Sequence, residues 1–105
     1  MRDRNSVTLT PIYGQGGTIA YTNSAVNSPS INPGCSGVYV TCTTDAWARF
    51  ANVASGTAPA ATTQDFFCPA GATVLLPNEA NTGEPMQLSV IRDAANGSAR
   101  FSPVV

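Results

Sequence analysis

Apolar and polar positions along this chain alternate in short runs of period two, and Gly, Pro and Asn interrupt them every few residues. That period sends successive side chains to opposite faces, as a half-buried strand requires, and almost no stretch carries the longer period of an amphipathic helix. In Gly37 to Thr43, Val38, Val40 and Cys42 fall on one face and Tyr39, Thr41 and Thr43 on the other. Asp45 to Val53 reads Asp-Ala-Trp-Ala-Arg-Phe-Ala-Asn-Val, and strand parity groups Trp47 with Arg49 and sets Phe50 opposite. A helix through those alanines would run only about two turns and lack a polar face, so a strand is predicted. Ser6 to Tyr13, with Val7 and Leu9 against Thr8 and Thr10, is another strand, and Thr18 to Val26 is a weaker one.

Asn27 to Gly34 carries two prolines and a Pro33-Gly34 pair, the signature of a loop. Ser55 to Thr63 is small and Pro-containing, hence a connector. Asp65 to Cys68 and Thr73 to Leu76 are short strands on either side of a tight turn at Pro69-Ala70-Gly71. Pro77 to Pro85 is an exposed acidic loop. Asn96-Gly97 lies between two alternating runs, the strongest short-range hairpin signal, because a type I′ turn needs positive φ at both central residues. A two-residue loop there pairs Ala95 with Ser98, Asp93 with Arg100 as a cross-strand ion pair, and Arg92 with Phe101. It also puts Met86, Leu88 and Val90 on one core face with Phe101, Pro103 and Val105.

Roughly seven or eight short strands with irregular connections predict an all-β chain, an antiparallel β-sandwich or jelly-roll-like fold with long loops. The domain is expected to span residues 6–105 behind an N-terminal arm of residues 1–5, and no internal repeat is visible.

Composition narrows the function. Only 10% of the residues are charged, and the formal net charge is −1, against roughly 25% charged in an average soluble protein. So neutral a surface points to one partly covered by neighbours, and a homo-oligomer, dimer or trimer, is expected. Without clustered basic residues a nucleic-acid partner is disfavoured. No apolar run is long enough to span a bilayer, so no membrane role is expected. Met1-Arg2-Asp3-Arg4-Asn5 has no apolar region behind its charges to act as a signal, which predicts synthesis in a cytoplasm.

The chain has no His and no Lys, so Ser, Thr and Cys nucleophiles lack the usual bases, and no enzyme is expected. Asp3, Asp45, Asp65, Glu79, Glu84 and Asp93 are isolated in sequence; the Glu79 and Glu84 pair reads as a solvated loop rather than a glycosidase or calcium site. No cofactor and no metal are predicted. Gly14-Gln15-Gly16-Gly17 lacks the Lys and following helix of a phosphate cradle and reads as a turn. Asn96-Gly97-Ser98 fits the glycosylation pattern but is likewise read as a turn. Cys35, Cys42 and Cys68 match neither a redox nor a zinc spacing; buried thiols are expected, with a Cys35–Cys42 bridge as the alternative. Trp47 with Arg49 is either a binding patch or a core anchor whose Arg caps the sheet edge. Arg2 and Arg4 lie in a tail or in a strap onto a neighbouring subunit.

One ordered run carries a resemblance: Trp47-Ala48-Arg49-Phe50, Ala58-Pro59-Ala60-Ala61-Thr62, Asp65-Phe66-Phe67, Pro69-Ala70-Gly71, Leu76-Pro77 and Gln87-Leu88-Ser89-Val90-Ile91. It resembles small virion structural proteins of tailed bacteriophages, of the capsid decoration, cement or head-completion type. The resemblance implies a β-sandwich made in a bacterial cytoplasm that docks on the major capsid protein at the virion exterior. Arg2, Arg4, Ile31, Pro33, Trp47 and Arg49 are the expected interface residues. The alternatives are a receptor- or carbohydrate-binding knob, in which Trp47 and Tyr13, Tyr21 and Tyr39 stack on sugars, or a neck or tail structural protein.

Overall fold

The computed structural model describes residues 10–31, 34–52, 60–78 and 85–105. Among the described residues eight strands form: β1 (Gly17–Tyr21), β2 (Val26–Asn27), β3 (Gly37–Cys42), β4 (Ala46–Asn52), β5 (Phe66–Cys68), β6 (Thr73–Pro77), β7 (Met86–Arg92) and β8 (Gly97–Val104). They make two four-stranded antiparallel sheets, β1-β8-β3-β6 and β2-β7-β4-β5. The pairings nest: first with last, second with seventh, third with sixth and fourth with fifth. That is the chain of a jelly roll, one long antiparallel ribbon rolled into two facing sheets.

The core forms where the inward faces meet, with Ile19, Tyr21, Val38, Val40, Cys42, Ala99 and Phe101 from the first sheet against Ala46, Ala48, Cys68, Met86, Leu88 and Val90 from the second. The alternation read from β3 and β4 therefore assigns their faces correctly. Pro69-Ala70-Gly71 is a turn closed by the Ala72 N–H on the Pro69 carbonyl (3.2 Å), with Gly71 at φ +79°. An L residue with a side chain adopts that φ only under strain, which accounts for the glycine.

The predicted hairpin at Asn96-Gly97 does not form. β7 lies in the second sheet between β2 and β4, and β8 lies in the first between β1 and β3. Residues 93–96 carry the chain from one sheet to the other, because a jelly roll places β7 and β8 in opposite layers. Asp93 and Arg100 are consequently apart: Asp93 accepts a bond from Trp47 Nε1 at 3.2 Å, whereas Arg100 stands opposite Thr18 and Thr41 in the first sheet. Phe101 and Pro103 do face inward toward Met86, Leu88 and Val90, but across the sandwich. Val105 is 45% exposed, lying one residue beyond the Gly37–Val104 pair that ends the β3–β8 ladder.

Gly97 has no left-handed φ. It is small because of what surrounds it: a Cβ there would lie 2.6 Å from Tyr21 Oη and 2.7 Å from Thr43 Oγ1, and closer still to the Thr44 hydroxyl. Those hydroxyls form a knot. The Tyr21 ring is buried, and its Oη bonds the Thr44 carbonyl and hydroxyl, both at 2.8 Å, while accepting from the Thr44 N–H. Ser98 N–H donates to Thr43 Oγ1 at 2.9 Å. The crossing from β7 to β8 is thereby tied to the β3–β4 corner.

Two further expectations are refined. Thr18 to Val26 divides into β1 and β2, which belong to different sheets. Of Ser6 to Tyr13, residues 6–9 lie outside the described residues, while Thr10 and Ile12 bond the backbone of Val105 and Pro103 along the edge of β8. The proposed arm, residues 1–5, is outside as well.

Candidate surface site on the second sheet

Strand parity places Trp47, on β4, on the outer face of the second sheet, and the register sets it between Phe67 of β5 and Ile91 of β7. The three side chains form one row across three strands. The Trp47 and Phe67 rings lie 4.8 Å apart between centroids at 57°, a tilted arrangement that suits their quadrupoles. Trp47 Nε1 donates to Asp93 Oδ1, which fixes the indole orientation. Phe67 is 37% exposed, and its edge-strand neighbour Phe66 is 52% exposed. Apolar surface is thus held rigidly outside a core that is already closed.

One end of this face is covered by its own chain. Ala61 N–H donates to Ser89 Oγ at 2.8 Å, and Ser89 is buried beneath the 60–65 segment. That segment is shaped by Asp65, whose carboxylate accepts from the Thr62 N–H at 2.7 Å and from Arg49 Nε at 3.0 Å, with Arg49 Nη2 at 2.9 Å. Burial pushes the Asp65 carboxyl up, but the Thr62 N–H and the Arg49 guanidinium outweigh it and hold the pKa below the ordinary carboxylate value. Arg49 therefore pins the connector to the sheet and flanks the aromatic row. It does not cap an edge, and Trp47 does not anchor the core.

The other expected interface residues are placed as follows. Ile31 is buried and exchanges both backbone bonds with Met86, at 2.7 and 2.9 Å. Arg2, Arg4 and Pro33 lie outside the described residues. The aromatic set of the carbohydrate alternative is dispersed: Tyr21 is buried, Tyr39 stands beside Leu75 on the outer face of the first sheet, and Tyr13 is 87% exposed on the loop before β1. Sequence reasoning missed Phe67, Ile91 and Asp93 as companions of Trp47, since only the cross-strand register reveals them.

Residues 14–18, 29–31 and Phe101 line an open cleft of about 330 Å³, none of them charged. The glycine-rich loop is a turn at its mouth. Among the described residues no group of three metal-ligating side chains is present.

All three cysteines are buried thiols. The Cys35–Cys42 bridge is excluded by the strand between them, because the six residues of β3 span roughly 17 Å against a Cα separation limit near 7 Å for a disulfide. Cys35 sits at the far end, where Asn78 Nδ2 donates to its carbonyl at 2.9 Å, and burial raises its thiol pKa. Cys42 and Cys68, by contrast, meet near the β3–β4 corner, where Cys42 bridges Ala70 and Cys68 pairs with Ala46. The neighbouring Cys42, with burial added, pushes the Cys68 thiol far up, while the neighbouring Cys68 lowers that of Cys42.

No protein family model, no curated protein and no solved structure matches the chain.

Proposed function

We propose that the chain is a structural virion protein, a capsid decoration or cement subunit that docks on the major capsid protein through the outer face of its second sheet. The observation that carries this reading is the Ile91–Trp47–Phe67 row, three large apolar side chains aligned outward and oriented by the Trp47–Asp93 bond. Trp and Arg are the residues most enriched at interface hot spots, and Arg49 flanks this row. Three further features support it: the resemblance of the Trp47 to Ile91 run to small phage virion proteins, the weakly charged surface, and a jelly-roll topology of the kind used by viral capsid and lectin domains. The last is a fold-level analogy, and the outward-facing row, half-buried at Trp47 and Ile91 and exposed at Phe67, carries the weight.

Co-sedimentation with shells assembled from the major capsid protein tests the proposal. The chain is expected to pellet with shells, and Trp47→Ala to weaken binding at least about tenfold, the loss typical of a hot-spot residue. Unchanged binding by that variant, or binding to glycans and not to shells, overturns it.

A further inference from the structure

Cys42 closes β3 in the first sheet, and Cys68 closes β5 in the second. Both side chains point into the same core and both are 0% exposed. The backbone holds them close: Cys42 forms a parallel bridge with Ala70, two residues past Cys68, and its carbonyl accepts from Gly71 N–H at 2.8 Å. Cys68 itself pairs with Ala46, four residues past Cys42 around the β3–β4 corner. These pairings make the two thiols neighbours at one corner of the core.

We propose that Cys42 and Cys68 form an inter-sheet disulfide when the chain folds or transiently opens in oxidising surroundings, while Cys35 remains a thiol. The oxidant is a low-molecular-weight disulfide such as oxidised glutathione. The Cys42 thiolate attacks one sulfur of the oxidant, displacing one glutathione thiolate and leaving a mixed disulfide. The Cys68 thiolate then attacks the Cys42 sulfur and displaces the second. The two cysteines lose two protons and two electrons, and one oxidised glutathione becomes two reduced ones. The native fold shields both sulfurs, so exchange runs through the open chain, and the closed sandwich then protects the bond. Short β5, at the edge of the second sheet beside β4, is the element whose release exposes Cys68. The bond would fasten the sheets at the corner that the Tyr21–Thr44 knot also secures. This inference is independent of the docking proposal.

The test is to refold the full chain with oxidised and reduced glutathione and map it without reduction. The expected product is lighter by about 2 Da than the reduced chain and retains one alkylatable thiol. Trypsin cleaves at Arg49 and chymotrypsin at Tyr39, which separates Cys35, Cys42 and Cys68 into three peptides, and a link between the last two is expected. The oxidised form should melt roughly 10 °C or more above the reduced form, with the difference abolished by dithiothreitol. Cys35→Ala should retain the link. Three free thiols in the folded, glutathione-treated wild type, or a link involving Cys35, overturns the proposal.

Discussion

Replacing Gly97 by Ala tests the reading of the β7–β8 crossing most sharply. The new methyl carbon would arrive 2.6 Å from Tyr21 Oη and 2.7 Å from Thr43 Oγ1, where ordinary van der Waals contact begins near 3.5 Å. Neither hydroxyl is free to retreat: Tyr21 is buried and bonded to Thr44 at 2.8 Å, and Thr43 is held by Ser98 N–H at 2.9 Å. Relief requires breaking one or two of these bonds at about 1 kcal/mol each, together with an overpacking penalty of about 1 to 3 kcal/mol. The entropy that Ala removes from the unfolded chain returns about 0.4 to 1 kcal/mol. A net loss of about 2 to 4 kcal/mol follows, which lowers the melting temperature of a domain this size by roughly 10 to 20 °C. The assay is thermal denaturation by circular dichroism of Gly97→Ala, Tyr21→Phe and the double variant. Tyr21→Phe should be destabilising alone yet make Gly97→Ala markedly less harmful, because it removes one of the crowding oxygens. Strict additivity of the two losses, or a Gly97→Ala variant as stable as wild type, would refute the crowding argument.

Other predictions follow from the same geometry. Asn96→Ala should lower stability by less than about 0.5 kcal/mol in urea denaturation, since Asn96 only accepts an exposed bond from Arg92 and occupies no hairpin turn. Trp47→Ala should lower stability by about 1 to 2 kcal/mol, the worth of its pairing with Phe67 plus part of a half-buried ring, with wild-type circular dichroism; the separation of this modest loss from the large loss of shell binding distinguishes a surface role from a core one. Asp65 has a folded pKa below its unfolded value, so its contribution is complete above the ordinary carboxylate range near pH 4 and disappears as pH falls through the folded pKa. Melting temperatures of wild type and Asp65→Asn should therefore differ at pH 6 and draw together progressively as the pH is lowered from 4. With Arg49 37% exposed, the ion pair itself contributes less than about 1 kcal/mol.

Local alternation made β3 and β4 legible, down to which side chains face inward, because each is a central strand with one buried face. It also placed Trp47 and Arg49 together. Alternation says nothing about which strands pair, however, and there the Asn96-Gly97 signal misled. A glycine selected to admit two threonines and a tyrosine looks, in sequence, like one selected for positive φ. The sandwich was readable from strand count, whereas the nested pairing of the jelly roll arises from contacts between residues as distant as Gly17 and Phe101. For the same reason the Arg49–Asp65 pair and the Trp47–Phe67–Ile91 row were hidden: each joins different strands or a strand and a connector. The Cys35–Cys42 alternative, by contrast, was refutable from sequence, since an extended run between two cysteines already holds them too far apart. Ile31 shows the converse: it lies in a Pro-rich loop yet is a core residue, because that loop runs along the backbone of β7.

A cryo-electron microscopy map of shells saturated with the chain addresses the docking surface most directly. The account predicts ordered density at symmetry-related positions, with the outer face of the second sheet against the capsid protein and Trp47 and Phe67 enclosed at the contact. Density in which that face points to solvent, or shells that remain bare at saturating protein, would contradict it.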